Sequence, residues 1–181
     1  MEAGQAKRII EALLLVGGHP LALKRIAEAV PELGAADIRR LIETLNAEYA
    51  SGARAFTIQE VAGGYQLVTD QALAPWIRQA LQSPRPDSVS VASMETLAII
   101  AYRQPITKAE IEAIRGVDAT AALDTLLERG FARVAGRKES PGRPFFYGTT
   151  TEFLRHFGLA SIETLPRMAT QTLTATSADE P

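Results

Sequence analysis

The feature that most constrains the fold is a repeat, in which the second half of the chain follows the first at a fixed offset. A shift of 85 positions takes Pro20 to Pro105 and aligns apolar residues of the two halves. The matched apolar pairs are Leu21 with Ile106, Ile26 with Ile111, Ile38 with Leu123, Leu41 with Leu126 and Ile42 with Leu127. Identities are few, but such agreement indicates one supersecondary unit that occurs twice. The 181 residues therefore predict two small domains in tandem.

The first half predicts helices followed by a β-hairpin. Apolar residues at helical spacing predict helices over residues 6–16, 23–30, 35–51 and 70–81. Alternating apolar residues predict strands over 56–61 and 65–68. Gly63-Gly64 lies between the two strands and is interpreted as their turn.

The second half repeats this order. An apolar helix is predicted over 94–102, and Thr107 with Glu110 forms a capping box that opens the next helix, with Ile111 and Ile114 facing inward. Asp118 is expected to cap a third helix that ends before Gly130. Strands are predicted over 131–134 and 145–147, and the loop that joins them contains Gly136 and residues 141–144. Thr149 with Glu152 suggests a capping box for a last helix.

Together these elements predict a mostly α, α+β fold of two tandem winged-helix domains. Pro84 and Pro86 mark a proline-containing linker, and the Thr-, Ser- and Ala-rich C-terminal stretch is expected to be a disordered tail. The predicted parts are an N-terminal domain at 1–82, the linker at 83–93, a C-terminal domain at 94–166 and the tail at 167–181.

Little in the chain suggests catalysis. There is no cysteine, and the two histidines, His19 and His156, lie in different halves without metal-ligand spacing. Glu110 and Glu112 are two residues apart and point to different helix faces, so they do not form an acid–base pair. We expect no enzyme activity, no metal and no cofactor. With no signal peptide and no long apolar run, we also expect a soluble cytoplasmic protein without membrane contact.

Charge is divided unevenly in the second half. The predicted third helix carries Asp118, Asp124 and Glu128, whereas the predicted hairpin is basic. The cations of the hairpin region are Arg129, Arg133, Arg137, Lys138 and Arg143. Two interpretations stand: the hairpin faces an anion such as DNA phosphate or an acidic protein segment, or its cations neutralise the acidic helices beside it. Since the net charge is -2, we expect DNA binding to be only weak or indirect.

Two helical segments, at 9–16 and 94–102, are apolar on nearly all faces. Each is interpreted either as a central helix buried on all sides or as a helix that keeps apolar surface for a partner. The breadth of the first segment leads us to expect a dimer contact there. Its candidate residues are Ile9, Ile10, Leu13 and Leu14.

Several motifs resemble the segregation and condensation protein B (ScpB) family. They are ETLAIIAY at 95–102, RQP at 103–105, EI and IRG within 110–116, LLERG at 126–130, GRK at 136–138, PGRP at 141–144, YGTT at 147–150, and FL and FGL within 153–159. Weaker matches are EALL at 11–14 and GYQL at 64–67.

The resemblance implies two winged-helix domains and a homodimer formed through the N-terminal halves. It implies an accessory subunit that binds the kleisin ScpA, which joins the heads of SMC ATPases, so that the complex condenses and segregates the chromosome. The location implied is the nucleoid. The alternative that the residues leave open is a winged-helix DNA-binding transcriptional regulator.

We expect the second domain to bind a kleisin helix. The candidate residues of this surface are Tyr102, Arg137, Lys138, Arg143, Pro144 and Tyr147. The prolines restrict the loop, the cations offer charge-assisted hydrogen bonds, and the tyrosines are candidate anchors. The alternative for Tyr102 and Tyr147 is an ordinary place in the domain core.

Overall fold

The computed structural model describes residues 2–81 and 89–166. The first half contains α1 (Ala3–Gly17), β1 (Leu21–Ala22), α2 (Leu23–Ala29), α3 (Ala35–Ser51), β2 (Phe56–Val61), β3 (Gly64–Thr69) and, after a 3-10 turn (Gln71–Leu73), α4 (Ala74–Leu81). The second half contains α5 (Val91–Arg103), β4 (Ile106–Thr107), α6 (Lys108–Arg115), α7 (Thr120–Glu128), β5 (Ala132–Arg137), β6 (Phe145–Thr149), α8 (Thr151–His156) and a 3-10 turn (Ile162–Thr164).

Each half has the same topology, which confirms the predicted mostly α, α+β class and the repeat. A helix leads to a short strand, two further helices and a two-stranded hairpin, and the short strand joins the hairpin in an antiparallel sheet. The strand order is β1-β3-β2 in the first half and β4-β6-β5 in the second. The order of the three helices and the hairpin in each half is the order predicted from the sequence.

Each half also has its own apolar core. The first is built on Ile10, Leu14, Ile26, Val30, Ile38, Ile42, Leu45, Tyr49 and Ile58. The second is built on Leu97, Ile100, Ala101, Ile106, Ile111, Ala119, Leu123, Leu126, Phe131, Ala132 and Phe153. The aligned pairs Ile26 with Ile111 and Ile38 with Leu123 are buried in both halves, so the repeat seen in the sequence is a repeat of core positions.

The short strands β1 and β4 were not predicted, because two residues are too few to display alternation. The turn of the first hairpin also differs by one position. It is formed by Ala62 and Gly63, both at positive φ, and Gly64 belongs to β3. A Cβ on Gly64 would lie 2.9 Å from the carbonyl carbon and oxygen of Leu21, so glycine is needed there for the close approach of β1.

Three local predictions in the second half were wrong. Helix α5 begins at Val91, inside the stretch assigned to the linker, because the Ser90 hydroxyl accepts a hydrogen bond from the Ser93 amide. The cap of α8 is Thr150, which accepts from the Phe153 amide, and not Thr149. Ile114 is 55% exposed and does not face inward. Residue 82, residues 83–88 of the predicted linker and the whole predicted tail lie outside the described residues.

The two halves meet at the tip of the first hairpin. The amides of Ala62 and Gly63 donate to the carbonyls of Leu159 and Ala160 at 2.8 and 2.9 Å. The Gln59 side-chain amide donates to the Gly158 carbonyl at 3.1 Å. These bonds extend the hairpin of the first half with the segment that follows α8.

The side chain of Asn46 closes the outer edge of the first sheet. Strand β2 is an edge strand, so alternate backbone groups point away from β3. The Asn46 amide group donates to the Ile58 carbonyl at 2.8 Å, and its oxygen accepts from the Ile58 amide at 2.8 Å. One side chain on α3 therefore satisfies both polar groups of a buried strand residue.

We expect Asn46→Ala to lower the free energy of unfolding by about 1–3 kcal/mol, because it leaves the Ile58 amide and carbonyl unpaired in a partly buried place. Urea unfolding followed by circular dichroism measures the change. Thr57→Val is the control, since it removes only the hydrogen bond from an exposed hydroxyl to Asn46. Equal losses for the two variants would show that Asn46 does not have this role.

Candidate partner-binding surface

Helix α5 has one buried side and one exposed apolar side. Leu97 and Ile100 are buried in the core, whereas Met94, Ala98 and Tyr102 are exposed at intervals of four residues. Residues at i, i+4 and i+8 follow one another along a helix face, so these three form a continuous stripe. We call Met94, Ala98 and Tyr102 the α5 stripe. The interpretation of α5 as a helix buried on all sides was therefore wrong.

Two apolar cavities lie on either side of the stripe and share Ala98 and Tyr102. The first, of about 240 Å³, lies between α5 and the segment from α8 onward. It is lined by Met94, Leu97, Ala98, Ala101, Tyr102, Phe153, Phe157, Leu159, Leu165 and Pro166. The second, of about 210 Å³, is lined by Ala98, Ile99, Tyr102, Arg103 and Ile114. The exposed Ile114 thus belongs to the wall of a cavity beside the stripe.

Tyr102 and Tyr147 differ in their surroundings. Tyr102 is 37% exposed, and its hydroxyl donates to the Pro166 carbonyl at 2.7 Å, which fixes the ring between the two cavities. Tyr147 pairs with Ile106 across β6 and β4 and packs against the core. The geometry therefore suits Tyr102 to an anchor role, while Tyr147 mainly serves the core.

The loop between β5 and β6 is ordered by its own backbone. The amide of Lys138 donates to the Pro144 carbonyl at 2.9 Å, and that of Arg143 donates to the Ser140 carbonyl at 2.8 Å. Arg143 adopts a positive φ of 40° in this turn. None of the loop residues predicted for the partner surface lines either cavity at Tyr102. The structure thus separates two groups of residues that the sequence prediction had combined.

The Glu110 carboxylate is the centre of a network at the start of α6. One of its oxygens accepts from the Thr107 amide and from the Thr107 hydroxyl, each at 2.8 Å, as the predicted capping box requires. The other lies 2.7 Å from the Lys138 ammonium group. The Lys138 contact and the Thr107 bonds together lower the pKa of Glu110 from 4.5 to about 2. Glu110 therefore joins the loop of the second hairpin to α6.

Arg115 is a structural residue that the sequence analysis did not single out. Its side chain is almost fully buried, and its guanidinium donates to the Asp118 carbonyl at 3.3 Å and lies 3.5 Å from the Glu95 carboxylate. The Nε atom is buried and has no hydrogen-bond partner among residues 2–81 and 89–166. The pattern of an arginine in the last helical turn before a glycine, Gly116, was the one available signal.

The cations of the second hairpin differ in their partners. Lys138 is paired with Glu110, as the neutralisation hypothesis expected. Arg133 donates to the Thr149 carbonyl at 3.2 Å, and Arg137 stacks on the Phe145 ring with its guanidinium carbon 4.2 Å from the centroid. Within the described part of the chain, no carboxylate lies at ion-pair distance from Arg133, Arg137 or Arg143, and all three are exposed.

The dimer candidates on α1 also divide into two groups. Ile10 and Leu14 are buried in the core of their own domain, so they cannot contact a second chain in this fold. Ile9 packs against that core and is half-buried, whereas Leu13 is half-buried without belonging to the core cluster. At the end of the same helix, Leu15 and Val16 are 69% and 85% exposed. The candidates that remain are Ile9 and Leu13.

Residues 2–81 and 89–166 contain no group of three or more side chains that could hold a metal ion. His19 contacts the Gly17 carbonyl, and His156 stacks near Phe131 with the ring centroids 4.8 Å apart. None of the helices in the same two ranges combines the length and apolar character that crossing a bilayer requires.

Comparison with known proteins gives a consistent result. The family model described as segregation and condensation complex subunit ScpB matches residues 8–168. Segregation and condensation protein B of Symbiobacterium thermophilum is 52% identical over 160 residues, which cover 88% of this chain and 72% of that protein. The protein of the same name from Clostridium tetani is 42% identical over 160 residues, covering 88% of this chain and 84% of that protein.

Two solved structures are also similar. The crystal structure of ScpB from Mycobacterium tuberculosis is 30% identical, and the match covers 88% of this chain and 98% of that chain with a TM-score of 0.42. The crystal structure of a dimer of the ScpB N-terminal domain complexed with ScpA peptide is 32% identical. That match covers 42% of this chain and 95% of that chain, with a TM-score of 0.39.

The depressed pKa of Glu110 predicts an acid-sensitive contribution to stability. The folded state favours the ionised carboxylate of Glu110. Its contribution to the free energy of unfolding is therefore complete above about pH 4.5 and is lost as the pH falls towards about 2. We expect Glu110→Gln to be less stable than the wild type at neutral pH and to converge on it over this window. Thermal unfolding at a series of pH values measures the difference.

Glu43→Gln, which removes an exposed carboxylate from α3, is the matched control for Glu110→Gln. A difference between the wild type and Glu110→Gln that stays constant from neutral pH down to about 2 would contradict the role of Glu110.

Proposed function

Because the chain belongs to the ScpB family of segregation and condensation complex subunits, we propose that it is a non-catalytic accessory subunit that binds the kleisin ScpA. Through the kleisin it joins the SMC ATPase, and the assembly condenses and segregates the chromosome in the cytoplasm. The chain itself contributes binding surfaces. The observation that carries this proposal is the α5 stripe with an apolar cavity on either side.

The shape of this surface suits an amphipathic helix of the partner. The stripe has a small residue, Ala98, between the longer Met94 and Tyr102. A small residue lets a partner backbone approach closely, and the larger residues then bound the contact on both sides. The two cavities lie where apolar side chains of a docked helix would enter. An aromatic anchor with a fixed ring, such as Tyr102, loses little conformational entropy on binding.

The loop residues have a secondary place in this proposal. Arg137, Arg143 and Pro144 line neither cavity at Tyr102, so they are not candidates for the centre of the contact. They remain candidates for a polar rim around the kleisin helix. Lys138 already pairs with Glu110, and Tyr147 packs on the core. The energetic centre of the contact is therefore expected at the α5 stripe, with the rim contributing mainly orientation.

The alternative of a transcriptional regulator requires α7 to enter the major groove of DNA. Asp124 and Glu128 are exposed on α7, and Asp118 lies immediately before it. Phosphates would repel a helix with these carboxylates. The charge of α7 therefore favours a protein-binding role for the fold.

We expect Ala98→Arg to weaken ScpA binding by about 30-fold or more, which corresponds to about 2 kcal/mol, because it places a long charged side chain in the centre of the apolar stripe. Isothermal titration calorimetry with purified ScpA measures the affinity, and a thermal melt checks folding. Ala121→Arg, the same substitution at an exposed position of α7, is the control and should bind normally.

Tyr102→Phe and Tyr102→Ala separate the ring from its hydroxyl. We expect Tyr102→Phe to retain binding and Tyr102→Ala to lose it, since the ring and not the Pro166 hydrogen bond contacts the partner.

If Ala98→Arg is folded and binds ScpA with wild-type affinity, the α5 stripe is not the kleisin site.

We also propose a homodimer through the first half, with Ile9 and Leu13 on α1 in the contact. Leu13→Glu is expected to yield a folded monomer, because a carboxylate at an apolar contact is costly to desolvate while Leu13 contributes little to the core. Arg8→Glu, at an exposed position of the same helix, is the control. Light scattering at micromolar concentration measures the mass, and a monomeric wild type would refute the dimer.

A further inference from the structure

The segment that contains the second hairpin carries a charge opposite to that of the rest of the chain. Between residues 129 and 149 there are five arginine or lysine residues and one carboxylate, Glu139. Of the whole chain's 19 basic and 21 acidic residues, this leaves 14 basic and 20 acidic residues elsewhere. The net charge of this segment is thus positive, whereas that of the rest of the chain is negative.

The exposed arginines of this hairpin retain their charge for an external partner. Among the residues that the structure describes, Arg133 and Arg137 hydrogen-bond only to backbone carbonyls, those of Thr149 and Arg143. Stacking on Phe145 holds the Arg137 guanidinium in place without neutralising it. The hydrogen bonds and the stacking limit the rotamers of these side chains, so less conformational entropy is lost when they bind an anion.

A β-bulge places these charges on both faces of the hairpin. Arg133 pairs with Gly148 and Arg137 with Phe145, and the register shifts between Val134 and Gly136. Gly148 and Phe145 are three residues apart on one strand, so they lie on opposite faces, and directly paired residues share a face. Arg133 therefore projects from one face of the hairpin and Arg137 from the other, while Arg143 lies in the turn that joins the strands.

We propose that the β5–β6 hairpin binds the phosphate backbone of duplex DNA, without reading sequence. A two-stranded ribbon fits in the major groove of B-DNA, where phosphates flank it on both sides. Cations on both faces and in the turn match such a groove, whereas a single acidic peptide strand would engage one face. Strand β5 is at the sheet edge, and β4 pairs with β6 at Phe146 and Tyr147, so in the described part of the chain the end of the hairpin beyond Phe145 has no third strand beside it.

The rest of the second half limits the strength of this contact. The carboxylates of α7 oppose its entry into a neighbouring groove, so the hairpin binds alone. Two or three phosphate contacts release few counterions, so the affinity of the isolated chain is weak and its logarithmic dependence on salt has a slope of only about 2 to 3. The contact becomes effective when an assembly holds the chain near DNA, because linkage raises the local concentration. This inference rests on the hairpin alone, and it assigns Arg137 and Arg143 to DNA instead of to the rim of the kleisin contact.

The test is fluorescence anisotropy of a labelled DNA duplex with the full chain, repeated over a range of low salt concentrations. We expect measurable binding whose logarithmic dependence on salt becomes shallower by about one for Arg133→Gln, by about one for Arg137→Gln, and by about two for the double variant. Arg78→Gln, a matched change on α4, should leave the slope unchanged.

Three results would overturn the proposal. The first is no binding by the wild type at low salt, and the second is an equal salt slope for the wild type and the double arginine variant when both are folded by thermal melt. The third is efficient competition by polyglutamate. If polyglutamate displaces the labelled duplex as well as unlabelled duplex does at the same concentration of charge, the partner is an acidic protein segment. Tighter binding of duplex than of single-stranded DNA is the expected result, since the groove needs two phosphate walls.

Discussion

The carboxylate of Glu110 connects three elements that determine the shape of the second half. Through Thr107 it fixes the start of α6, and Thr107 is at the same time a residue of β4, which pairs with β6. Through Lys138 it holds the loop at the end of the basic hairpin. This network links the loop of the hairpin to the start of α6, and the pairing of β4 with β6 joins the base of the hairpin to the same helix start.

Helix α5 has a buried side and an exposed apolar side because the second core covers only one of them. Leu97 and Ile100 lie on the side of α5 that packs against α6 and α7. The domain is too small to cover the opposite side of α5 as well. The apolar residues left outside create a surface that water solvates poorly. The segment after α8 borders that surface through Leu159, whose carbonyl accepts a hydrogen bond from the first hairpin. The kleisin candidate site therefore adjoins the junction between the two halves.

The local predictions that were correct depend on residues that are close together in the sequence. The capping box of Thr107 and Glu110 and the helix end at Gly116 involve residues within one or two turns, so they are visible in the sequence. The signals that failed depend on distant residues. Thr149 was a plausible cap, but its amide and hydroxyl bond to Gln104, 45 residues away, and Thr150 takes the capping position. The strands β1 and β4 exist because a hairpin later in the chain pairs with them.

The sequence by itself determined the order of helices and hairpins, the repeat and the separation of acidic α7 from the basic hairpin, because periodicity, caps and charge are local properties. Only the tertiary structure decided which apolar residues are surface, since burial depends on neighbours far along the chain. It buried Ile111 and exposed Ile114 on one short helix, and it buried Ile10 and Leu14 while leaving Leu13 half-buried. The bulge, a matter of strand register, directed Arg133 and Arg137 to opposite faces.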